Sequence, residues 1–299
     1  MDTSTAATIA FARSKEDVGN IVELGHVNLA VPDQALATHF YVSGLGLTRD
    51  PYMMPGTDLM WINVGRGQFH LPTRPPMMLR GTIGLVVPDI EALLARFAIV
   101  EASLQATKFS YCRNQDAIEA TCPWGNRFRL HEPDVNRFGP ITLGMPYVEF
   151  DVPQGTPLVG IVTFYREILD GIADVEVDAG GEYAWVSVGP GNRFVFRATS
   201  ATVPPFDGHH VQIALADFSG PHRKLVERGL VTQESDQHQY RFQHIVDPSS
   251  GSVLLTLEHE VRSMTHPMYG RALVNRNAEQ TNRNYVPGYE AWRWAMPVG

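Results

Sequence analysis

Apolar residues recur along the chain in short, partly alternating runs, and one such run returns four times in outline. The copies are residues 25–33 (GHVNLAVPD), 81–89 (GTIGLVVPD), 146–153 (PYVEFDVP) and 209–217 (HHVQIALAD). Each is rich in β-branched residues and is typical of a buried strand. Their spacing of roughly 55 to 65 residues is longer than that of solenoid repeats, which indicates four separate modules.

A helix is predicted after each of these strands. Asp33 and Asp89 can cap helices over residues 34–41 and 90–97, because a side-chain carboxylate accepts from free N–H groups in the first turn. Corresponding helices are predicted at residues 164–169 and near 221–229. Each module therefore begins as a strand followed by a helix.

The modules also end alike. Residues 61–71 (WINVGRGQFHL) resemble residues 185–196 (WVSVGPGNRFVF), and each predicts two strands joined by a glycine turn. Residues 123–130 and 247–255 close the second and fourth modules through similar turns. The predicted unit is a βαβββ module.

The predicted domain organisation follows from these repeats. We place the modules near residues 20–75, 78–134, 143–200 and 205–262, with the main linker at 133–146. By sequence order they group as an N-terminal module pair over 20–134 and a C-terminal pair over 143–262, with pairing of modules one and four across the chain as the alternative, and a flexible arm is expected at 1–19. The tail, residues 263–299, contains the aromatic stretch 285–294 and is expected to pack on the modules.

Composition narrows the choice of ligand and compartment. The chain has 44% hydrophobic and 19% charged residues and a formal charge of −8, which excludes the basic surface expected of a nucleic-acid-binding or membrane-surface protein. A small-molecule substrate is the expected partner, and homo-oligomerisation is left open. Cys112 and Cys122 form no CxxC pair, and no leader or membrane-spanning segment is recognised, so a cytoplasmic location is expected.

The repeated βαβββ unit, with its opening strand and its GxxxxL-like closing strand, resembles the vicinal oxygen chelate superfamily. This family includes glyoxalases, bleomycin resistance proteins and extradiol ring-cleaving dioxygenases. The resemblance implies an α+β fold in which four tandem modules form two half-open mixed β-barrels with helices outside. It also implies metal ligands on the first and last strand of a module, pointing into the barrel.

Transferring those ligand positions residue by residue gives an uneven result. The opening-strand position holds His26, Thr82, Tyr147 and His210 in the four modules. The closing-strand position holds His70, Arg129 and Val195 in the first three modules. In the fourth module, counting from Gly251 gives Leu255, and a shifted turn would bring in Glu258 instead. The candidate ligands are therefore His26, His70, His210 and Glu258.

This distribution bears on how the modules pair. Sequential pairing would give each barrel half a site, whereas pairing of modules one and four collects all the candidate ligands. The resemblance includes such crossed pairing. Modules two and three would then form a structural barrel.

The candidate ligands leave the metal open. Two histidines and a carboxylate favour Fe(II) or Mn(II), and three histidines favour Zn, Ni or Co. His26, His70 and His210 could each instead be an ordinary buried histidine, and Glu258 could belong to a solvated charged cluster.

The segment that follows the last strand mixes acids, bases and aromatic residues. Its His266, Tyr269 and Arg271 are candidates for a lid or substrate wall that supplies a proton or binds an anion. Salt bridging between tail and barrel is the structural alternative.

The function most consistent with these features is a metal-dependent enzyme that acts on a small oxygenated substrate, with aromatic compounds among the candidates, most like an extradiol-type ring-cleaving dioxygenase. A metal-free drug- or metabolite-binding protein of the bleomycin-resistance type is one alternative. A glyoxalase-type lyase or isomerase is the other.

Overall fold

The computed structural model describes residues 12–53, 56 and 58–275. Strands of the first two modules are β1 (Ile21–Asn28), β2 (Thr48–Arg49), β3 (Leu59–Val64), β4 (Gly67–Pro72), β5 (Gly81–Val86), β6 (Ser110–Arg113), β7 (Ile118–Thr121) and β8 (Arg127–His131). Strands of the last two are β9 (Gly144–Pro153), β10 (Ala173–Asp178), β11 (Gly181–Ser187), β12 (Arg193–Thr199), β13 (His210–Leu215), β14 (Val231–Asp236), β15 (Gln239–Val246) and β16 (Val253–Ser263).

Helices follow the first strand of each module, and one further short helix lies in the linker before β9. They are α1 (Gln34–Ala37), which continues into a π-helical turn (Thr38–Gly44), α2 (Ile90–Leu104), α3 (Val135–Phe138), α4 (Leu158–Glu167) and α5 (Ser219–Glu227), and a 3-10 turn (Arg13–Glu16) precedes β1. In the described part of the chain, no helix combines the length and the apolar character needed to span a bilayer.

Local sequence explains where the first helices start. The Asp33 carboxylate accepts from the N–H groups of Ala35 and Leu36, and the Asp89 carboxylate accepts from that of Ala92. These caps satisfy N–H groups that have no partner inside the helix. The two capping aspartates predicted from the sequence therefore act as caps.

The strands form two mixed sheets of eight strands each, and neither sheet closes into a full barrel. The order in the first is β14-β15-β16-β13-β1-β4-β3-β2, and in the second β10-β11-β12-β9-β5-β8-β7-β6. The first sheet thus joins modules one and four, through the antiparallel pair β1 and β13. The second joins modules two and three, through β5 and β9.

The first sheet has one polar and one apolar face. His26 on β1, together with Gln212 and Gln68 opposite it, lies on the concave face, whereas the intervening Val27 and Phe69 are fully buried in the core. Alternation along a strand places neighbours on opposite faces. The concave face therefore holds the polar residues that could form a site.

A bulge at Gly25 adjusts this face. The pairing of β1 with β13 slips between Leu24 and His26, and a Cβ at Gly25 would lie 1.8 Å from Oε1 of Gln212. A larger residue at Gly25 would displace the Gln212 side chain from its position on the concave face. The glycine before His26 thus has a packing role.

Aromatic side chains of the helices join the two sheets. Phe40 contacts Phe128 of β8 at a ring distance of 5.4 Å, and its neighbour Tyr41 contacts Phe69 of β4 at 5.3 Å. These side chains are essentially inaccessible to solvent. Because burial of each large apolar side chain contributes roughly 1.5–3 kcal/mol, this contact holds the two sheets as one core.

The observed architecture confirms the α+β class and the two half-open mixed β-barrels expected from the repeats. Residues 1–11 of the expected arm, and residues 276–299 with the aromatic stretch 285–294, lie outside the described residues. The packing expected of that stretch stays a prediction.

Candidate metal centre

The opening strands of modules one and four meet with local twofold symmetry. Across the antiparallel pair, His26 lies opposite Gln212 and Asn28 lies opposite His210. Exchanging the strands therefore exchanges His26 with His210. The two histidines occupy equivalent positions on the concave face.

The closing strands complete this symmetry with Glu260. On one side β4 places His70 beside Asn28, and on the other β16 places Glu260 beside Gln212. Glu260 is therefore the counterpart of His70. Glu258, the residue predicted from the sequence, lies beside His210 and corresponds instead to Gln68.

Three donors converge at this point. One ligand atom from each of His26, His210 and Glu260 lies within 4.8 Å of the others, and all three residues are buried. Nε2 of His210 is 3.6 Å from Oε2 of Glu260, and the rings of His26 and His210 have centroids 5.5 Å apart. Among the described residues, this is the one group of three or more such donors that meets so closely.

His70 lies beside this group but is not part of it. Its ring stacks on His26 with centroids 3.7 Å apart and on Trp61 at 3.9 Å. Nε2 of His70 contacts Oε1 of Gln68 at 3.3 Å. His70 thus flanks His26, and donation from its Nε2 to Gln68 would leave the lone pair of the ring on Nδ1.

The histidines are in the form that binds metals. Burial lowers the pKa of His26 well below its usual value, with further lowering by His70 and His210. Burial also lowers the pKa of His210 to about 3, assisted by Arg241. Neutral imidazoles at ordinary pH carry lone pairs for coordination.

His26 also provides a direct indication that the residues fit a cation. Its Nε2 is buried and, among the described residues, has no hydrogen-bond partner. A buried polar atom without a partner costs about 1–3 kcal/mol. A divalent cation between His26, His210 and Glu260 would satisfy it, so the donor set fits a metal.

Two arginines balance the acidic side of the site. Arg241 pairs with both Glu258 and Glu260, and Nη2 of Arg262 lies 2.7 Å from Oε1 of Glu260. Glu258 lies 3.6 Å from Nδ1 of His210 and outside the three-donor group. The carboxylate of the group is therefore Glu260 rather than Glu258.

The tail covers a polar cavity beside His26. The cavity is bordered by Gln68, Gln212 and Arg262 of the sheet and by Tyr269 and Arg271 of the tail. Two of the three tail residues singled out in the sequence are thus brought to the site.

Arg271 fixes the tail to the sheet through Asp50. Its Nη2 donates to Oδ2 of Asp50 at 2.6 Å, and Asp50 has no exposed surface. Gln68 donates to the same carboxylate at 3.1 Å, and Gln68 in turn contacts His70. The tail is therefore linked by hydrogen bonds to the side chain that stacks on His26.

Other histidines of interest lie elsewhere. His266 does not border the cavity, and its Nδ1 accepts from the N–H of Met268 at 3.0 Å. His259 points into the core, where Tyr165 donates to its Nε2 at 2.7 Å. His209 contacts Asp207 at 2.7 Å through Nδ1. A catalytic role for His266 stays a prediction that these contacts do not support.

The second sheet has other residues at the ligand positions, as the residue-by-residue transfer indicated. Thr82 and Tyr147 occupy the opening positions, and Arg129 and Val195 the closing ones. Tyr147 contacts Nε2 of His131 at 2.9 Å through its hydroxyl. Arg129 donates to Glu119 at 2.7 Å, and the described residues of the second sheet provide no three-donor group.

Sequence reasoning missed Glu260 and Glu23. Glu23 borders the polar cavity, and burial raises its pKa, although Arg262 and Arg66 act in the opposite direction. A signal for Glu260 was present, because Glu258, Glu260 and Arg262 alternate along a strand and share a face with any ligand position there. Glu23 had no comparable signal.

Comparisons with known proteins identify the architecture. No protein-family model and no curated protein matches the chain. Among solved structures, glyoxalase I from Zea mays has a TM-score of 0.54 at 12% identity, covering 84% of this chain and 94% of that one. A "putative dioxygenase" from Bacillus subtilis has a TM-score of 0.53 at 12% identity, covering 83% and 86%.

The chain has the vicinal oxygen chelate fold. At 12% identity, these likenesses establish the fold and leave the activity to be argued from the site. Within this fold, the concave face of the first sheet carries the donor group.

Proposed function

We propose that the chain is a divalent-metal-dependent enzyme that acts on a small substrate with two adjacent oxygens, with ring-cleaving dioxygenase chemistry as the leading activity. The observation that carries this proposal is the convergence of His26, His210 and Glu260 around the unpartnered Nε2 of His26. Two neutral imidazoles and one carboxylate suit Fe(II) or Mn(II) and leave open positions for other ligands.

His26, His210 and Glu260 would hold the metal, with His70 stacked behind His26. When bound, such a metal acts as a Lewis acid toward the substrate oxygens. Arg241 and Arg262 orient the Glu260 carboxylate through their ion pairs with it, since guanidinium groups are permanently charged donors.

Residues of the polar cavity would handle the proton and the substrate. Glu23 has a carboxyl pKa raised by burial, which suits a group that takes a proton from a substrate hydroxyl near neutral pH. Tyr269 and Arg271 border the same cavity from the tail. They would close it to water, and the Tyr269 hydroxyl could contact a substrate oxygen.

The experiment that tests the proposal is metal analysis of protein purified without oxygen. We expect about one Fe or Mn ion per chain, its loss in a folded His26→Ala variant, and oxygen consumption with catechols or hydroquinones. Absence of metal, with activity persisting without it, would overturn the proposal. Tight binding of an aromatic ligand by metal-free protein, without turnover, would indicate a binding protein instead.

One observation favours a second candidate, a glyoxalase-type lyase or isomerase. His70 occupies the fourth symmetric position and stacks on His26, and a reorientation of its ring would add a third histidine to the set, which suits Zn, Ni or Co and non-redox chemistry. Turnover that continues at the same rate without oxygen would favour this candidate over the dioxygenase.

A further inference from the structure

An apolar cleft lies between the two sheets, next to the candidate site. Its apolar walls come from β1, from the linker before β9, from the first residues of β9, and from the turn between β11 and β12. They are Val22, Leu24, Ile141, Leu143, Met145 and Pro190. The described tail contributes Tyr269 and Gly270.

Two glycine turns bring the walls of this cleft together. Gly65 has φ +64°, and a Cβ there would lie 2.1 Å from the carbonyl oxygen of Leu143. Gly189 has φ +121°, and a Cβ there would lie 3.0 Å from the carbonyl oxygen of Val22. The repeated glycine turns noted in the sequence therefore allow each sheet to approach the backbone that walls the cleft.

The cleft continues into the polar cavity beside His26. Glu23, Arg66 and Tyr269 border both spaces. On one side of these three residues are His26, Gln68 and the tail residue Arg271. On the other side the lining is predominantly apolar. A molecule that spans the border meets polar donors at one end and hydrocarbon at the other.

We propose that the substrate is an amphiphile, whose oxygenated head lies at the donor group and whose alkyl or aryl substituent lies in the cleft at Leu143. This inference rests on the proposed function for the position of the head. It assigns a specificity role to the linker, a segment that carries none of the candidate ligands. Apolar lining near a few convergent polar groups is the usual composition of a small-molecule site.

A chain-length series tests the proposal. Catechol and its 4-ethyl, 4-butyl and 4-hexyl derivatives are titrated anaerobically into the protein, with and without Fe(II), by isothermal titration calorimetry. We expect affinity to rise by up to about fourfold for each methylene, which corresponds to about 0.8 kcal/mol per buried CH₂. Affinity independent of chain length would overturn the proposal, as would failure of every member to bind.

A matched pair of variants tests whether the dependence of affinity on chain length arises in the cleft. Leu143 and Leu158 each expose 6% of their surface, but only Leu143 borders the cleft. Leu143→Gln should flatten the dependence on chain length, whereas Leu158→Gln should preserve it. If Leu143→Gln does not fold, Ile141→Thr provides a milder change in the same wall. Equal dependence in the folded cleft variant and the control would count against the cleft.

Metal content of the same samples separates this proposal from the first. Protein that binds metal but shows no chain-length dependence would overturn the cleft assignment alone. Protein without metal that still binds longer chains more tightly would overturn the metal-dependent function and leave the apolar cleft standing.

Discussion

Glu260 is to the fourth module what His70 is to the first. Asn28 on β1 pairs with His70, and Gln212 on β13 pairs with Glu260, so the two residues are related by the local twofold axis between the opening strands. The site is therefore symmetric in backbone and asymmetric in chemistry. Only one of its halves contributes a carboxylate to the three-donor group.

Replacement of Glu260 tests which acid binds the metal. Glu260→Gln should weaken metal binding by more than roughly 100-fold, the upper end of the effect of losing an outer-shell partner. Glu258→Gln is the matched control, because Glu258 shares the Arg241 pair but lies outside the donor group. Metal affinity measured by competition with a chelator should separate the two variants. A larger loss in Glu258→Gln would mean that the sequence-based choice was right.

Arg271→Met should destabilise the protein by about 3 kcal/mol, because the buried Asp50 carboxylate would lose its ionic partner. Burial alone would raise the pKa of Asp50. The hydrogen bonds from Arg271 and from two backbone N–H groups outweigh this effect, so the pKa lies below its usual value. Urea denaturation at pH 7 measures the loss. Arg66→Met, at an exposed position, should stay within about 0.5 kcal/mol of wild type.

His259 should make stability fall as the pH drops. Burial lowers its pKa to about 3 in the folded protein, so the unfolded chain binds a proton between about pH 6.5 and 3 that the folded chain does not. The stabilisation from keeping His259 neutral is present above pH 6.5. The free energy of unfolding should therefore be about 2 kcal/mol smaller at pH 5 than at pH 7 because of this residue.

Denaturation of wild type and His259→Phe at both pH values measures this contribution. The variant should lose less stability between pH 7 and pH 5 than wild type, because it lacks the titrating group. It should also be less stable at pH 7, since the Tyr165 hydroxyl loses its acceptor. An unchanged pH dependence would show that His259 is not the group responsible.

Glu23→Gln should stabilise the protein at neutral pH while lowering turnover. Burial raises the folded-state pKa of Glu23, so the folded protein binds the proton more tightly and loses stability as the pH rises through that pKa. The stability gained by Glu23→Gln should disappear below about pH 4, where Glu23 of the wild type is protonated in both the folded and the unfolded chain. Thermal unfolding from pH 4 to 8 measures it. Glu167→Gln, at an exposed helix end, serves as control.

The sequence alone was sufficient for the repeat and the fold class, and it singled out three histidines that lie together in the structure. His26, His70 and His210 stand at positions that the four copies define by alignment, and the structure brings them together. Their uneven distribution also favoured crossed pairing of modules one and four, and β1 lies beside β13 in the first sheet. Local pattern was enough for these histidines because their positions were counted within each repeat and needed no cross-strand register.

The carboxylate could not be placed in this way. β16 runs over Val253–Ser263, far longer than β4 at Gly67–Pro72, so a count from the glycine turn ends at Leu255. The pairing with Gln212 selects Glu260, and a cross-strand register depends on tertiary contacts. The homo-oligomeric state and the cytoplasmic location stay predictions.

The nested order of the sheets constrains how the protein is made. Modules two and three are neighbours in sequence and can pair as soon as both have left the ribosome, whereas β1 must wait for β13 and β16. A nascent chain that ends before residue 253 contains all strands of the second sheet but lacks β16 and therefore Glu260. The donor group can therefore form only after β16 has been synthesised, and the contact of Arg271 with Asp50 follows it.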